Sequence, residues 1–504
     1  MKMIDSILNK ITMYRLVLYC LIFLLGVGFI LSFFKLLPFQ PFDLLAVVIY
    51  FVAVCFATNF VFAWVFEAPS NLESVYITAL ILVLIVTPAR PFENLLSFGW
   101  IAVIAIASKY ILAINKKHIF NPAALAVALT AFTINQSASW WVANLYMAPF
   151  VLVVGLLIAK KIKRYDLVLS FFIVAMAVVF IFSRGNNLLA SLERTIIYSP
   201  VMFLAFIMLT EPMTTPPTRK LRIVYGALVG LLFSPQIHIG SVYSTPELAL
   251  LAGNIFVYLV SPKEKLVLKL KQKIKIAPDA YDFIFKTDKK LIFTPGQYME
   301  WTLDHTPHDN RGIRRFFTLA SSPTEDDIRM GIKFYDNSST YKKSLLALEA
   351  GDKIIASQLS GDFVLPKNKD QKFVLISGGI GITPFRSMIK YLVDTDERRP
   401  ITIFYSNKLA SEILYQDVLK VAEDRLGIKT FYTITDRKNI PVDWKGFIGH
   451  FTKEMIVKEV PDYKENIFYI SGPHQMVVGF EKLLKEMGIK ANQIKIDFFP
   501  GFAG

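Results

Sequence analysis

Two cysteines and six histidines are all that 504 residues offer to soft metals. Cys20 and Cys55 both fall in long apolar runs, which excludes a disulfide framework, a zinc ribbon and any cluster held by four thiolates, and no metal site is expected. Acidic residues are also scarce: 40 Asp and Glu stand against 55 Lys and Arg, a formal charge of +15. A basic collar against anionic lipid headgroups accounts for that excess, and nucleic-acid binding is not needed to explain it. What is abundant is apolar, with 54% hydrophobic residues and a mean hydropathy of +0.46, more than a soluble core of this size needs. The excess lies before Pro262, where apolar runs follow one another with short polar breaks.

A hydrocarbon core about 30 Å thick takes about 20 helical residues. On that measure ten spans are expected, near 14–34, 43–65, 75–88, 96–114, 120–136, 145–159, 166–183, 197–210, 221–235 and 246–261, several of them short for a full crossing. The first follows Lys2 and Lys10 as a secretory leader would, but its apolar stretch is too long and no small-residue cleavage site follows, so it reads as a retained anchor. With the N-terminus inside, the inner loops hold Lys116 and Lys117, then Lys160, Lys161, Lys163 and Arg164, then Arg219, Lys220 and Arg222, then the Lys263 to Lys275 run. The outer loops hold only Lys35, Arg90, Arg184 and Arg194; the inner loop 66–74, with Glu67 and Glu73, departs from the pattern. The distribution places the chain in the cytoplasmic (inner) membrane as a multi-pass protein with both termini in the cytoplasm.

An internal repeat appears when positions 124 apart are compared. Thr87-Pro88 ends the third span and Glu211-Pro212 the eighth, while Asn121-Pro122 and Thr245-Pro246 open the fifth and tenth. Five spans per repeat invert the second copy, an arrangement in which broken helix ends build a site near the bilayer midplane. Proline at a helix start also has a plainer reading, since its missing donor costs nothing there. Phe120-Asn121-Pro122-Ala123-Ala124 and Thr210-Glu211-Pro212-Met213-Thr214 resemble the Asn-Pro-Ala and Thr-Asp-Pro-Val segments of the B subunit of the sodium-pumping NADH:quinone reductase and the D subunit of the Rnf complex. The resemblance covers roughly residues 10–262 and implies a ten-span inverted repeat. It also implies a flavin mononucleotide esterified to a threonine in a Ser-x-Ala-Thr stretch, and that stretch is absent between Pro122 and Glu211. Non-covalent FMN or riboflavin, or a quinone pocket, stays open.

After residue 262 the long apolar runs stop and the pattern becomes that of a soluble fold. Alternation over Leu266 to Phe285 suits strands of a small antiparallel barrel, expected over 263–368. In Arg315-Phe316-Phe317-Thr318 a strand puts Arg315 and Phe317 on one face and Thr318 on the other, offering a cation to a diphosphate and a ring and hydroxyl to an isoalloxazine. Ser338, Ser339 and Thr340 precede a helix whose free N–H groups suit a diphosphate, or simply need a cap. An apolar strand over Phe373 to Ile376 then enters Ser377-Gly378-Gly379-Ile380-Gly381-Ile382-Thr383-Pro384, a turn into a helix, opening an α/β domain over 369–504. With Tyr469-Ile470-Ser471-Gly472-Pro473-His474-Gln475-Met476 and the closing Asp497-Phe498-Phe499-Pro500-Gly501-Phe502, these motifs stand in the order of the ferredoxin-NADP reductase superfamily, which they resemble.

That resemblance implies a β-barrel FAD domain beside a Rossmann-like NAD(P) domain. Arg315, Phe316, Phe317, Thr318, Ser338, Ser339, Thr340 and Phe499 would bind FAD. Gly378, Gly379, Gly381, Thr383, Pro384, Gly472, Pro473 and Met476 would bind NADH or NADPH. Thr318, Ser471 and the aromatic lid Phe502 would serve the reaction, with Ser471 standing where many members have Cys. Ser406, Asn407 and Lys408 leave the choice of nucleotide open. His118 and His238 lie on opposite faces of the expected topology, so they cannot hold one haem, and any electron carrier is organic. His305, His308, His450 and His474 read as loop or surface residues, Lys109 as a snorkelling side chain, and Trp140 and Trp141 as an interfacial belt. The expected protein is a polytopic helical membrane domain fused to a flavin reductase that passes electrons from NAD(P)H through FAD into or across the membrane. Its partners are lipid, quinone or an extracytoplasmic acceptor, and further electron-transport subunits. A quinone reductase whose membrane half only holds quinone, and an ion or vitamin transporter with a coupled reductase, are the alternatives.

Overall fold

The computed structural model describes residues 8, 11, 13–66, 72–88, 91–114, 117–183, 187–261, 266–307, 309 and 313–497. It divides into two compact units, one ending at Ser261 and one beginning at Pro262.

The first unit is helical. α1 (Met13–Phe33), α2 (Pro41–Val65), α3 (Leu72–Ile85), α4 (Pro91–Ile111) and α5 (Pro122–Ile134) form one set. α6 (Ala148–Ile162), α7 (Tyr165–Phe182), the pair α8 (Leu188–Ile197) and α9 (Val201–Met208), α10 (Arg219–Leu232) and α11 (Pro246–Val260) form the second. Asn121 and Thr245 cap the fifth helix of each set through their side chains, each with proline following. The packing repeats as well. In the first set α1 meets α3, α2 meets α3 and α4, and α4 meets α5; in the second α6 meets α9, α7 meets α9 and α10, and α10 meets α11. Across the sets α1 lies on α6 and α5 on α11, like on like, which is what a two-fold relation between the halves produces. Two short hairpins, β1 (Ala113–Ile114) with β2 (Lys117–His118) and β3 (His238–Ile239) with β4 (Val242–Tyr243), precede the fifth helix of each set.

Among the described residues, α1, α2, α7 and residues Asn94–Ile111 of α4 are long and apolar enough to cross a membrane, and α8 with α9 makes a fifth if taken as one bent span; α3, α5 and α11 are apolar but shorter. The span expected at 197–210 starts at a bend: a separate helix, α8, precedes it and meets α9 at 53°. Pro200 supplies the reason, since it removes a donor and disfavours helix in the residue before it. Outward faces are apolar: Phe60 and Trp64 of α2 and Ile173 and Phe180 of α7 are all more than half exposed, a surface suited to hydrocarbon rather than water.

Two expectations need correction here. Trp140 and Trp141 are buried, not interfacial. The Ser139 and Trp140 amides donate to the Ile85 carbonyl at 2.9 and 3.0 Å, and the Trp141 indole donates to the Val83 carbonyl at 2.7 Å. They satisfy carbonyls that the end of α3 leaves without helix partners. Lys109 does not snorkel either, because its ammonium donates to the Ser74 carbonyl at 2.9 Å in the first turn of α3.

The second unit holds two sheets. β5 (Leu266–Ala277), β6 (Ala280–Lys286), β7 (Tyr298–Thr302), β8 (Arg314–Thr318), β9 (Ile328–Lys333) and β10 (Lys353–Ser360) form an antiparallel sheet in the order β8-β7-β10-β5-β6-β9. It curls until the Ala320 amide, just past β8, donates to the Arg329 carbonyl of β9 at 2.9 Å. Leu268, Phe283, Phe285, Trp301 and Met330 fill its interior, and α12 (Thr340–Ala347) plugs one side through Tyr341 and Leu345. The other sheet is parallel, in the order β14-β13-β12-β11-β15-β16, from β11 (Phe373–Gly378), β12 (Ile401–Asn407), β13 (Lys429–Ile434), β14 (Phe447–Ile448), β15 (Ile467–Ser471) and β16 (Ile494–Ile496). Alternate residues of β11 feed two cores. Phe373 and Leu375 pack with α13 (Thr383–Asp394) and α14 (Gln416–Leu426), whereas Val374 and Ile376 pack with α15 (Lys453–Glu459) and α16 (His474–Glu486). Burial on both faces is why these strands read as continuous apolar runs.

Candidate functional site

In the parallel sheet the strand order reverses at β11: β12 lies on one side and β15 on the other, which opens a crevice beyond their carboxyl ends. Both glycine motifs end there. A Cβ on Gly381 would stand 2.5 Å from the Ser471 carbonyl oxygen and 2.6 Å from Gly472 Cα. On Gly378 it would stand 2.4 Å from the Met476 sulfur and 3.1 Å from Pro473, and on Gly472 3.0 Å from the Gly378 nitrogen. Two main chains touch at this point, so only glycine fits. Gly379, with φ 53°, turns the chain toward open space. Thr383 and Pro384 then begin α13, and the Thr383 hydroxyl donates to the Ile380 carbonyl at 3.2 Å. The free N–H groups of that first turn border the crevice.

The curled sheet gathers a second group. Arg315 is buried, its guanidinium 3.1 Å from the Asp309 carboxylate and 5.0 Å over the Tyr341 ring. Phe317 meets the same ring at 6.0 Å, so Arg315 and Phe317 do share a face. Phe316 and Thr318 point the other way. Phe316 packs edge-on against Tyr298 at 5.7 Å, and Thr318 is buried opposite Tyr298 in register. Ser339 caps α12 by accepting the Lys342 amide at 3.3 Å. The Thr340 hydroxyl accepts the Asp309 amide at 3.0 Å and lies 3.2 Å from His305 Nε2. Ser338 closes a turn instead, donating to the Tyr335 carbonyl at 2.6 Å. Arg315, Phe317 and the start of α12 thus converge on Tyr341. His305 belongs to this cluster, which its loop sequence did not disclose.

Ser471 ends β15 and donates to Asp497 Oδ2 at 3.0 Å, while the Asp497 amide donates to the Ile470 carbonyl at 3.0 Å. Burial pushes the Asp497 carboxyl up to about 7, against the pull of the Ser471 hydroxyl. Asp497 was missed as a site residue, and the available signal was a lone acid between Ile496 and Phe498. Phe499 and Phe502 lie outside the described residues.

In the helical unit the repeat's two proline motifs meet directly. Glu211 follows α9 and receives His118 Nε2 at 3.0 Å on one oxygen and the Asn121 side-chain amide at 2.9 Å on the other. Thr214 adds a hydroxyl at 3.2 Å. Asn254, fully buried on α11, accepts the Asn121 backbone amide at 2.8 Å and donates to the Tyr225 hydroxyl at 3.3 Å. Ionisable groups placed inside an apolar bundle mark a functional site more often than a structural one.

Comparison with known proteins divides the chain at the same place. Residues 145–265 match the NQR2, RnfD, RnfE family, and residues 375–482 match the oxidoreductase NAD-binding domain. A flavohemoprotein of Oceanobacillus iheyensis is 26% identical over 242 residues, 46% of this chain and 58% of that protein. A glycine betaine monooxygenase reductase subunit of Chromohalobacter salexigens is 24% identical over 222 residues, 43% and 60% of the two chains. The F component of a Na(+)-translocating NADH-quinone reductase from a Marinomonas species is 27% identical over 229 residues, 44% and 52%. The chain therefore spans little more than half the length of these relatives. The flavohem-like FAD/NAD binding domain of nitric oxide dioxygenase from Vibrio cholerae aligns with a TM-score of 0.41 at 18% identity, over 46% of this chain and 98% of that one. Its two halves accordingly have separate kin: an NQR2, RnfD, RnfE family stretch in the first and an oxidoreductase NAD-binding domain in the second.

Proposed function

We propose that the second half oxidises NADH or NADPH at the cytoplasmic face with FAD as its cofactor and delivers electrons into the first half, which spans the inner membrane ten times as an inverted repeat. Bound FAD would supply the conversion that a two-electron donor and a one-electron path require. The residues fit that group: the buried Arg315 guanidinium faces Tyr341 at the start of α12, and Ser339 and Thr340 lie where a diphosphate would meet free N–H groups. Phe317 would pack against the ring and Thr318, on the opposite face of β8 with Phe316, would reach its edge through its hydroxyl or amide, with Phe499 and Phe502 as its cover. Gly378, Gly379, Gly381, Thr383, Pro384, Gly472, Pro473 and Met476 would hold the dinucleotide, and Ser471 would align its nicotinamide end.

One observation carries the reading, namely the backbone contact of Gly381 with Gly472 at the switch point of the parallel sheet. The Marinomonas relative is by name a component of an NADH-quinone reductase, and that donor and that acceptor are taken over here as part of the proposal. The Glu211 cluster is where the membrane half would receive electrons or the charge that accompanies them, from a quinone or from FMN or riboflavin bound without a covalent link. The test is the number and identity of flavins per chain in detergent-purified protein, separated into acid-extractable and chain-bound fractions. One extractable FAD, bleached by NADH or NADPH and reoxidised by quinone, is expected, and Arg315→Ala should lose it. A chain holding FAD with no other redox group and no quinone reduction would sink transfer into the membrane half.

A further inference from the structure

Tyr415, at the N-terminus of α14, bridges the two sheets of the reductase unit. Its backbone is left-handed, with φ 56°, a conformation that costs energy in a residue with a side chain. The turn aims its ring at β6 and β9. There the phenol donates to one oxygen of Asp282 at 2.5 Å, and the other oxygen accepts the Arg329 guanidinium at 2.6 Å. Asp282 has no exposed surface. Gly331 leaves the space for this contact: a Cβ there would stand 2.4 Å from the Tyr415 hydroxyl and 2.9 Å from the Thr383 methyl. Burial and the Asp282 charge both hold the phenol's proton well above the ordinary range, so it stays a donor.

The bridge continues into the nucleotide turn. The Leu414 amide donates to the Tyr405 hydroxyl at 3.2 Å, and that hydroxyl donates to the Gly379 carbonyl at 3.2 Å. Beside it the Arg386 guanidinium lies 5.4 Å over the Tyr415 ring and grips Glu325 at 2.7 and 2.9 Å. Strand β6, the 414–415 turn and the glycine turn are therefore tied in series.

We infer that Tyr415 is a positioning residue whose bond to Asp282 sets the distance between the glycine turn of the nucleotide site and the cofactor side of the curled sheet. The inference rests on the proposed function, since that spacing matters only if a hydride crosses it. Hydride transfer is sensitive to approach, and a displacement of about 1 Å costs roughly 100-fold in rate. The left-handed turn at Tyr415 is the conformation from which the phenol reaches Asp282.

Tyr415→Phe removes the hydroxyl and keeps the ring. In full-length protein loaded with FAD, stopped-flow reduction at saturating nucleotide should slow at least about tenfold. Nucleotide affinity should stay within about twofold, and the long-wavelength charge-transfer absorbance should weaken. Asp282→Asn, which keeps an acceptor for the phenol, should retain more of the rate than Tyr415→Phe. If Tyr415→Phe fails to hold FAD, Asp282→Ala serves in its place with the same expected slowing. A limiting rate and charge-transfer band equal to wild type in a variant lacking the bond overturn the inference and leave the proposed function intact. A wild-type chain that neither nucleotide reduces overturns both.

Discussion

Prolines place the candidate site in the helical half and glycines place it in the reductase half. Pro122 and Pro212 sit where helices start or break, and the groups freed or capped there, Asn121 and Glu211, find each other across the repeat. Gly381 and Gly472 instead let two main chains touch, so that the turns that hold them share one crevice. The first device assembles side chains inside an apolar bundle and must pair every charge it buries. The second assembles backbone, which is already polar and tolerates a charged ligand at a helix N-terminus. Damage to each should therefore look different.

Gly381→Ala is expected to give the largest effect. Its Cβ would meet the Ser471 carbonyl and Gly472 Cα, both backbone atoms with no rotamer by which to move. Nucleotide-driven flavin reduction should fall at least about 100-fold, while FAD, which the proposal places on the other sheet, should be retained. Loss of FAD along with the rate would show that the two sites are not separable. Glu211→Gln comes next and acts in the opposite manner. The amide can still accept from Asn121, but His118 loses its charged partner, a cost of about 1–3 kcal/mol for a part-buried pair. The helical half should melt earlier in detergent and quinone reduction should fall, with reduction of a soluble acceptor such as ferricyanide unchanged. A parallel loss of ferricyanide reduction would break the distinction drawn between the halves.

Both devices left marks in the sequence, and the marks differ in reach. Prolines spaced 124 apart pointed to the repeat, and equivalent helices of the two sets meet in the same pattern. The short hairpins at Ala113–His118 and His238–Tyr243 stayed hidden because two-residue strands carry no period. Trp140 and Trp141 were misread for another reason: an indole suits an interface and a buried carbonyl equally, and only the end of α3 decides between them. In the reductase half the pattern Arg315-Phe316-Phe317-Thr318 fixed which side chains share a face, since strand alternation is local. Partners brought from far along the chain left no such trace. Asp282 with Tyr415, His305 with Thr340 and Ser471 with Asp497 are pairs that no spacing rule connects.

Asp497 gives the smallest expected effect and the finest test of how the reductase half manages a buried acid. Glu211 in the helical half is met by an imidazole, an amide and a hydroxyl, whereas Asp497 has the Ser471 hydroxyl against the burial that pushes it up to about 7. An unfolded chain ionises this carboxyl near its ordinary value of 3.8. Between the two values the native state holds one proton more than the unfolded state, so stability declines as pH rises from about 4 to about 7 and is level in this group above that. Asp497→Asn removes the titration while keeping an acceptor for Ser471. Denaturation midpoints at pH 5 and pH 8 should therefore differ more in the wild type than in the variant, the wild type being the less stable at pH 8. Equal differences in both proteins would mean that Asp497 titrates as an ordinary exposed carboxylate and that the Ser471 contact does not isolate it from water.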